Sequence, residues 1–61
     1  MREWLKKVRK EKGLTQEDCA KLCGITRQYY NQIETGARGL RVSTAKRLAE
    51  ALGVKWTKFF E

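Results

Sequence analysis

Glycine punctuation limits what this chain can fold into more than any other feature. With no proline, and glycines at 13, 24, 36, 39 and 53, the 61 residues are divided into short segments of helix-forming residues, most closed by a residue suited to stopping a helix. The expected fold is all-α, a compact bundle of five helices. A chain of this length buries only about 60% of its unfolded surface, so a single domain over residues 1–61 is expected, without a large cleft.

The first helix is expected over residues 2–12, with Trp4, Leu5 and Val8 on one face and Arg2, Lys6, Lys7 and Lys10 mostly around the other. The second begins after Thr15. Its hydroxyl can accept a backbone N–H from the first turn while Asp18 returns a bond, and Cys19, Ala20, Leu22 and Cys23 supply the apolar residues before Gly24. The third starts from a Thr26 cap and ends near Glu34, ahead of Thr35-Gly36. Residues 36–42 read as a loop. The fourth helix is expected from a Ser43 cap to Leu52, with Ala45, Leu48, Ala49 and Leu52 as its buried stripe. The tail should add one or two turns, in which Trp56, Phe59 and Phe60 cover the open end of the core. Trp56 or one face of Phe60 could also extend into a contact with a second copy.

Fourteen Lys and Arg against seven Asp and Glu give a net charge of +7. The excess is local: residues 1–13 carry six basic and two acidic side chains, and residues 27–47 carry five and one. Such a balance favours a polyanionic partner, nucleic acid ahead of an anionic membrane surface. Apolar runs never exceed two residues, as in Trp4-Leu5 and Phe59-Phe60, so no segment suits a bilayer. The absence of His removes the commonest general base and metal ligand, and an enzyme is not expected. Two cysteines and no leader-like opening suggest a reducing cytoplasm. Cys19 and Cys23 lack the further ligands a tetrahedral metal site needs. No metal, cofactor or small-molecule ligand is expected.

Two short helices joined through a glycine, the second with an outer face of long polar side chains, make a minimal device for reading the DNA major groove. If Tyr30 and Ile33 face inward, behind Ile25, then Arg27, Gln28, Asn31 and Gln32 face outward. Arg suits guanine O6 and N7, while Gln and Asn suit adenine N6 and N7. Arg38 and Arg41 in the following loop suit the sugar-phosphate wall, where charge binds without reading sequence. Lys46, Arg47 and the helix-one lysines are counted as a solvated face or general attraction.

The blocks Gly13-Leu14-Thr15-Gln16-Glu17-Asp18-Cys19-Ala20, Gly24-Ile25-Thr26-Arg27, Tyr30-Asn31-Gln32-Ile33-Glu34-Thr35-Gly36 and Leu48-Ala49-Glu50-Ala51-Leu52-Gly53-Val54 resemble the Cro and phage-repressor type of helix-turn-helix, the XRE family. The resemblance spans about Leu5 to Phe60. It implies a bundle whose third helix reads DNA, in a protein that regulates transcription, mostly as a dimer. It further implies Gln16 as a phosphate contact that steadies a recognition side chain, with Arg27, Gln28 and Gln32 at base-reading positions. Asn31 and Tyr29 would flank them. Thr26 and Tyr29 join Gln16, Arg38 and Arg41 as expected phosphate contacts, and Arg9 and Glu34 match a structural ion pair.

The resemblance is incomplete at several positions. Cys19 and Cys23 stand where larger aliphatics are common, Tyr30 replaces a smaller branched residue, and no proline lies near Leu40. The simplest account is an exchange of volume, tyrosine for what the thiols leave open. The expected function is sequence-specific binding of double-stranded DNA by a homodimeric repressor in a bacterial or phage context. The alternative is an antitoxin or adaptor of the same fold whose main partner is a protein.

Overall fold

The computed structural model describes residues 1–37 and 39–61. Four α-helices, α1 (Glu3–Glu11), α2 (Gln16–Cys23), α3 (Arg27–Thr35) and α4 (Val42–Leu52), are followed by a 3-10 helix, Trp56–Phe60. The described residues therefore hold four α-helices rather than five. The tail is only five residues long, too short for an i→i+4 ladder to develop, and it tightens into 3-10 turns.

Local chemistry sets most of the boundaries. The Thr15 hydroxyl accepts from the Asp18 amide at 3.0 Å, and the Asp18 carboxylate accepts from the Thr15 amide at 2.9 Å, which completes a capping box at the start of α2. These bonds hold the exposed Asp18 carboxyl below the ordinary aspartate range. At the other end Gly24 takes φ +69°, a left-handed conformation that costs a residue with a Cβ, and the Ile25 amide then donates to Ala20 O at 3.0 Å. The same 6→1 closure recurs after α3, from Ala37 to Gln32, and after α4, from Val54 to Ala49. The expected Ser43 cap is displaced: the cap lies two residues earlier, at Arg41, with no side-chain bond, and the first bond of α4 runs from the Ala45 amide to Arg41 O at 2.9 Å. Leu40, packed against the core, fixes where the chain turns into α4, and that outweighs the local preference for serine.

α2 packs against both α3 and α4, and the 3-10 helix lies on α4. Between them is a core of Leu5, Cys19, Ala20, Cys23, Tyr30, Ile33, Ala45, Leu48, Ala49, Leu52 and Phe59. The α4 stripe is therefore buried as its spacing indicates. Four large apolar residues are exposed, Met1, Val42, Leu22 at 58% and Phe60 at 49%. Leu22 falls on the outer side of α2, and in the tail Phe59 enters the core while Phe60 only leans edge-on against Trp56. Trp4 packs edge-on against Phe59 with ring centres 5.0 Å apart, tying the two ends of the chain together.

Tyr30 is fully buried, in the same core as Cys19 and Cys23. Among the described residues its hydroxyl is the buried side-chain polar atom without a hydrogen-bond partner. Burial drives its phenol far above the ordinary range, so it is neutral at any working pH. The hydroxyl is near enough to Glu34 to help hold that carboxyl low, yet closes no bond of good geometry, so Tyr30→Phe is expected to change stability by less than about 1 kcal/mol, read from the melting temperature. A fall of more than about 2 kcal/mol would mean that the hydroxyl is fully paired.

Cys19 and Cys23 are free and buried. Burial pushes both thiols up, Cys23 to about 11, so neither is a thiolate at neutral pH. No group of three or more possible metal ligands occurs among the described residues. Both thiols are expected to react with an aromatic disulfide reagent only at the rate of unfolding. Rapid labelling of the native protein would contradict this packing.

Candidate nucleic-acid interface

The inner and outer faces of α3 are sharply different. Tyr30 and Ile33 are fully buried at 0% exposure, while Arg27, Gln28 and Asn31 are exposed and Gln32 is half-buried. Thr26 caps the helix by accepting from the Tyr29 amide at 3.0 Å, so its hydroxyl lies at the surface beside the first turn. Arg27, Gln28 and Asn31 line a shallow surface recess together with Gln16 from the start of α2. Gln16 and Arg27 also border an adjoining hollow that passes Thr15 and Glu17. The α2 N-terminus, with its outward amides and positive dipole end, thus stands next to the exposed side chains of α3.

Beneath this surface lies an ion pair. Arg9 Nε donates to Glu34 Oε2 at 3.0 Å, Arg9 Nη2 donates to Glu34 Oε1 at 3.1 Å, and Arg9 Nη1 donates to Leu14 O at 2.9 Å. Burial alone would raise the Glu34 carboxyl, but the hydrogen bonds and charge of Arg9 outweigh it and hold the acid below its ordinary range. Gln16 Nε2 joins this group, donating to Asn31 Oδ1 at 3.0 Å and to Glu34 Oε1 at 3.4 Å. The ion pair therefore fixes α1 to α3 and also reaches the surface through Gln16.

The other expected contacts are placed less centrally. Tyr29 is half-buried against the core, and Arg41 is exposed at the entry to α4. Arg38 lies outside the described residues. Gln16 faces the recess, but its Nε2 is directed at protein acceptors rather than at solvent.

A helix-turn-helix family model matches residues 5–59, nearly the whole chain. The chain belongs to the XRE-type helix-turn-helix family. Among its helix-turn-helix relatives is an HTH-type transcriptional regulator of Bacillus subtilis, YqaF, 54% identical over 61 residues, covering 100% of this chain and 80% of the relative. The regulator y4dJ of Sinorhizobium fredii is 46% identical over 48 residues, covering 79% of this chain and 62% of the relative. The control protein C.MunI of a Mycoplasma species is 37% identical over 57 residues, covering 92% of this chain and 77% of that protein. In this helix-turn-helix chain α2 and α3 form the motif, with α1, α4 and the tail supporting it. No helix among the described residues is long and apolar enough to cross a membrane.

One supporting residue is not legible in the sequence. Arg2, expected on the outer basic face of α1, is half-buried. Its guanidinium donates to Ile33 O and to Phe59 O, and its amide donates to Glu34 O at 2.8 Å. It therefore satisfies Glu34 O, adds a second donor to Ile33 O beside the Gly36 amide, and ties that end of the helix to the tail. Arg47 is similar: its Nη1 donates to Cys23 O at 3.4 Å, joining α4 to the end of α2. Neither pattern has a local sequence signature, because each depends on which helix end the fold brings alongside.

Proposed function

We propose that this protein is a sequence-specific double-stranded DNA-binding regulator of transcription, acting as a repressor that occupies an operator as a two-fold dimer. The observation that carries the reading is the exposure of Arg27, Gln28 and Asn31 in one recess on a helix whose opposite face is fully buried. Such a helix can enter the major groove without unfolding anything, and these side chains carry base-reading chemistry. Gln32, half-buried on the same helix, completes the base-reading set at its edge. Gln16, Thr26, Tyr29, Arg38 and Arg41 are proposed to hold the sugar-phosphate backbone. For Gln16 the α2 N-terminus supplies the complementary donors.

One recognition helix reads too few base pairs for genomic specificity, so the operator is expected to be a near-palindrome with half-sites about 34–36 Å apart. Exposed Phe60 and half-buried Trp56 offer apolar surface for the second copy. A protein of this kind works in the cytoplasm, at the nucleoid. Site selection from random duplex DNA at moderate salt tests the reading. A two-fold-symmetric motif is expected, whereas recovery of no preferred sequence would overturn specific reading and favour a protein partner.

A further inference from the structure

The polar side chains around α3 form one chain of hydrogen bonds with a fixed direction. Glu34, ionised and already accepting from Arg9 Nε and Nη2, can only accept. The side chain that approaches it from the surface must therefore present N–H, which orients the Gln16 amide with Nε2 inward, 3.4 Å from Glu34 Oε1. The same Nε2 lies 3.0 Å from Asn31 Oδ1. Both hydrogens of the Gln16 amide are then engaged, and the Asn31 amide is oriented in turn, its oxygen against Gln16 and its Nδ2 left with two hydrogens to donate. An exposed asparagine without such a partner would turn either end toward DNA at little cost.

We infer that Glu34, acting through Gln16, fixes the amide polarity of Asn31, so that Asn31 meets DNA as a hydrogen-bond donor, selects a base edge bearing an acceptor and rejects cytosine. The inference rests on the DNA-reading function proposed above and names what one of its side chains reads. In the major groove guanine offers O6 and N7, adenine offers N7 and thymine offers O4, but cytosine offers only its N4 amine. Donor against donor leaves two N–H groups unmatched in a closed interface, a penalty of roughly tenfold in affinity for one lost hydrogen bond. Asn31 is here a specificity-determining residue, and Gln16 and Glu34 are positioning residues.

Binding-site selection with four proteins tests this: the parent chain, Asn31→Ala, Asn31→Asp and Gln16→Ala. The parent motif should contain a base pair from which cytosine is depleted about tenfold. Asn31→Ala should tolerate all four bases there. Asn31→Asp, which offers only acceptors, should instead favour cytosine at that pair. Gln16→Ala keeps Asn31 but frees its amide, so cytosine should be readmitted at that pair alone, while any loss of the proposed backbone contact lowers affinity on every sequence alike and leaves the preferences at the other pairs in place. Cytosine still excluded in Gln16→Ala would overturn the relay, as would a motif that Asn31→Asp leaves unaltered. Either result would leave DNA reading intact, whereas a parent protein that selects no motif would sink both.

Discussion

Glu34→Ala is expected to leave much of the protein unfolded at room temperature. The Arg9 and Glu34 side chains are only 10% and 4% exposed, so removing the carboxylate strands a guanidinium where water cannot replace its partner. Breaking a buried pair in this way costs about 3–5 kcal/mol. A domain of this size has roughly 3–9 kcal/mol in all, so the loss is comparable to the whole. At about 4–8 °C per kcal/mol the melting temperature should fall by more than about 12 °C, as followed by circular dichroism. The pair itself need not stabilise the fold relative to apolar residues. Arg9→Met with Glu34→Leu, which removes both charges and keeps comparable volume, should therefore recover most of the loss. If the double variant were as unstable as the single, the bonds from Arg9 to Leu14 O and from Gln16 to Glu34 would outweigh the stranded charge.

The pH dependence has a definite sign. Glu34 has a folded-state pKa below its unfolded value, so in the interval between them the unfolded chain binds more protons and stability rises with pH. Its contribution is fully present above the unfolded glutamate value of about 4.3 and is lost as pH falls through the lowered folded value. Melting curves of the parent protein should therefore shift downward below about pH 4. In the Arg9→Met, Glu34→Leu protein this part of the shift should vanish, leaving that of Asp18, whose carboxyl is also held low.

On DNA the largest expected effect is that of salt. A dimer neutralising six to ten phosphates loses roughly 10³–10⁵ in affinity between 50 and 200 mM salt, because the released counterions must be returned to solution at higher activity. Single substitutions should divide into two kinds on this background. Arg41→Ala, at the exposed entry to α4, should weaken binding to all sequences alike and reduce the salt slope by about one. Arg27→Ala should leave the slope nearly unchanged, yet discard about 1–3 kcal/mol of preference at one base pair. Competition titrations against matched and mismatched duplexes distinguish the two. Equal loss on every duplex from Arg27→Ala would remove α3 from the role of reader.

Several elements were legible because their causes are local. The α2 capping box follows from Thr15 and Asp18 three residues apart, the helix ends from Gly24 and Gly53, and the α4 stripe from spacing alone. The Arg9–Glu34 pair, 25 residues apart, came from family resemblance, since nothing in the intervening sequence announces it. For Arg2 the α1 periodicity says only that it faces away from Leu5. It does not say that the end of α3 lies there. Phe60 is expected to cover the core and Leu22 is apolar like its neighbours on α2, yet both are exposed, and it is Cys23 and Phe59 that are buried.

The chain's own order of residues settles the helices, their stops, the two-faced character of α3 and the basic surface, because each depends on neighbours within about one or two helical turns. Tertiary structure alone decides that the start of α2 stands beside the middle of α3, and so that Gln16 joins a buried carboxylate to an exposed amide. That juxtaposition depends on how the buried side chains of all the helices pack together, a matter of volume in three dimensions that no linear spacing records.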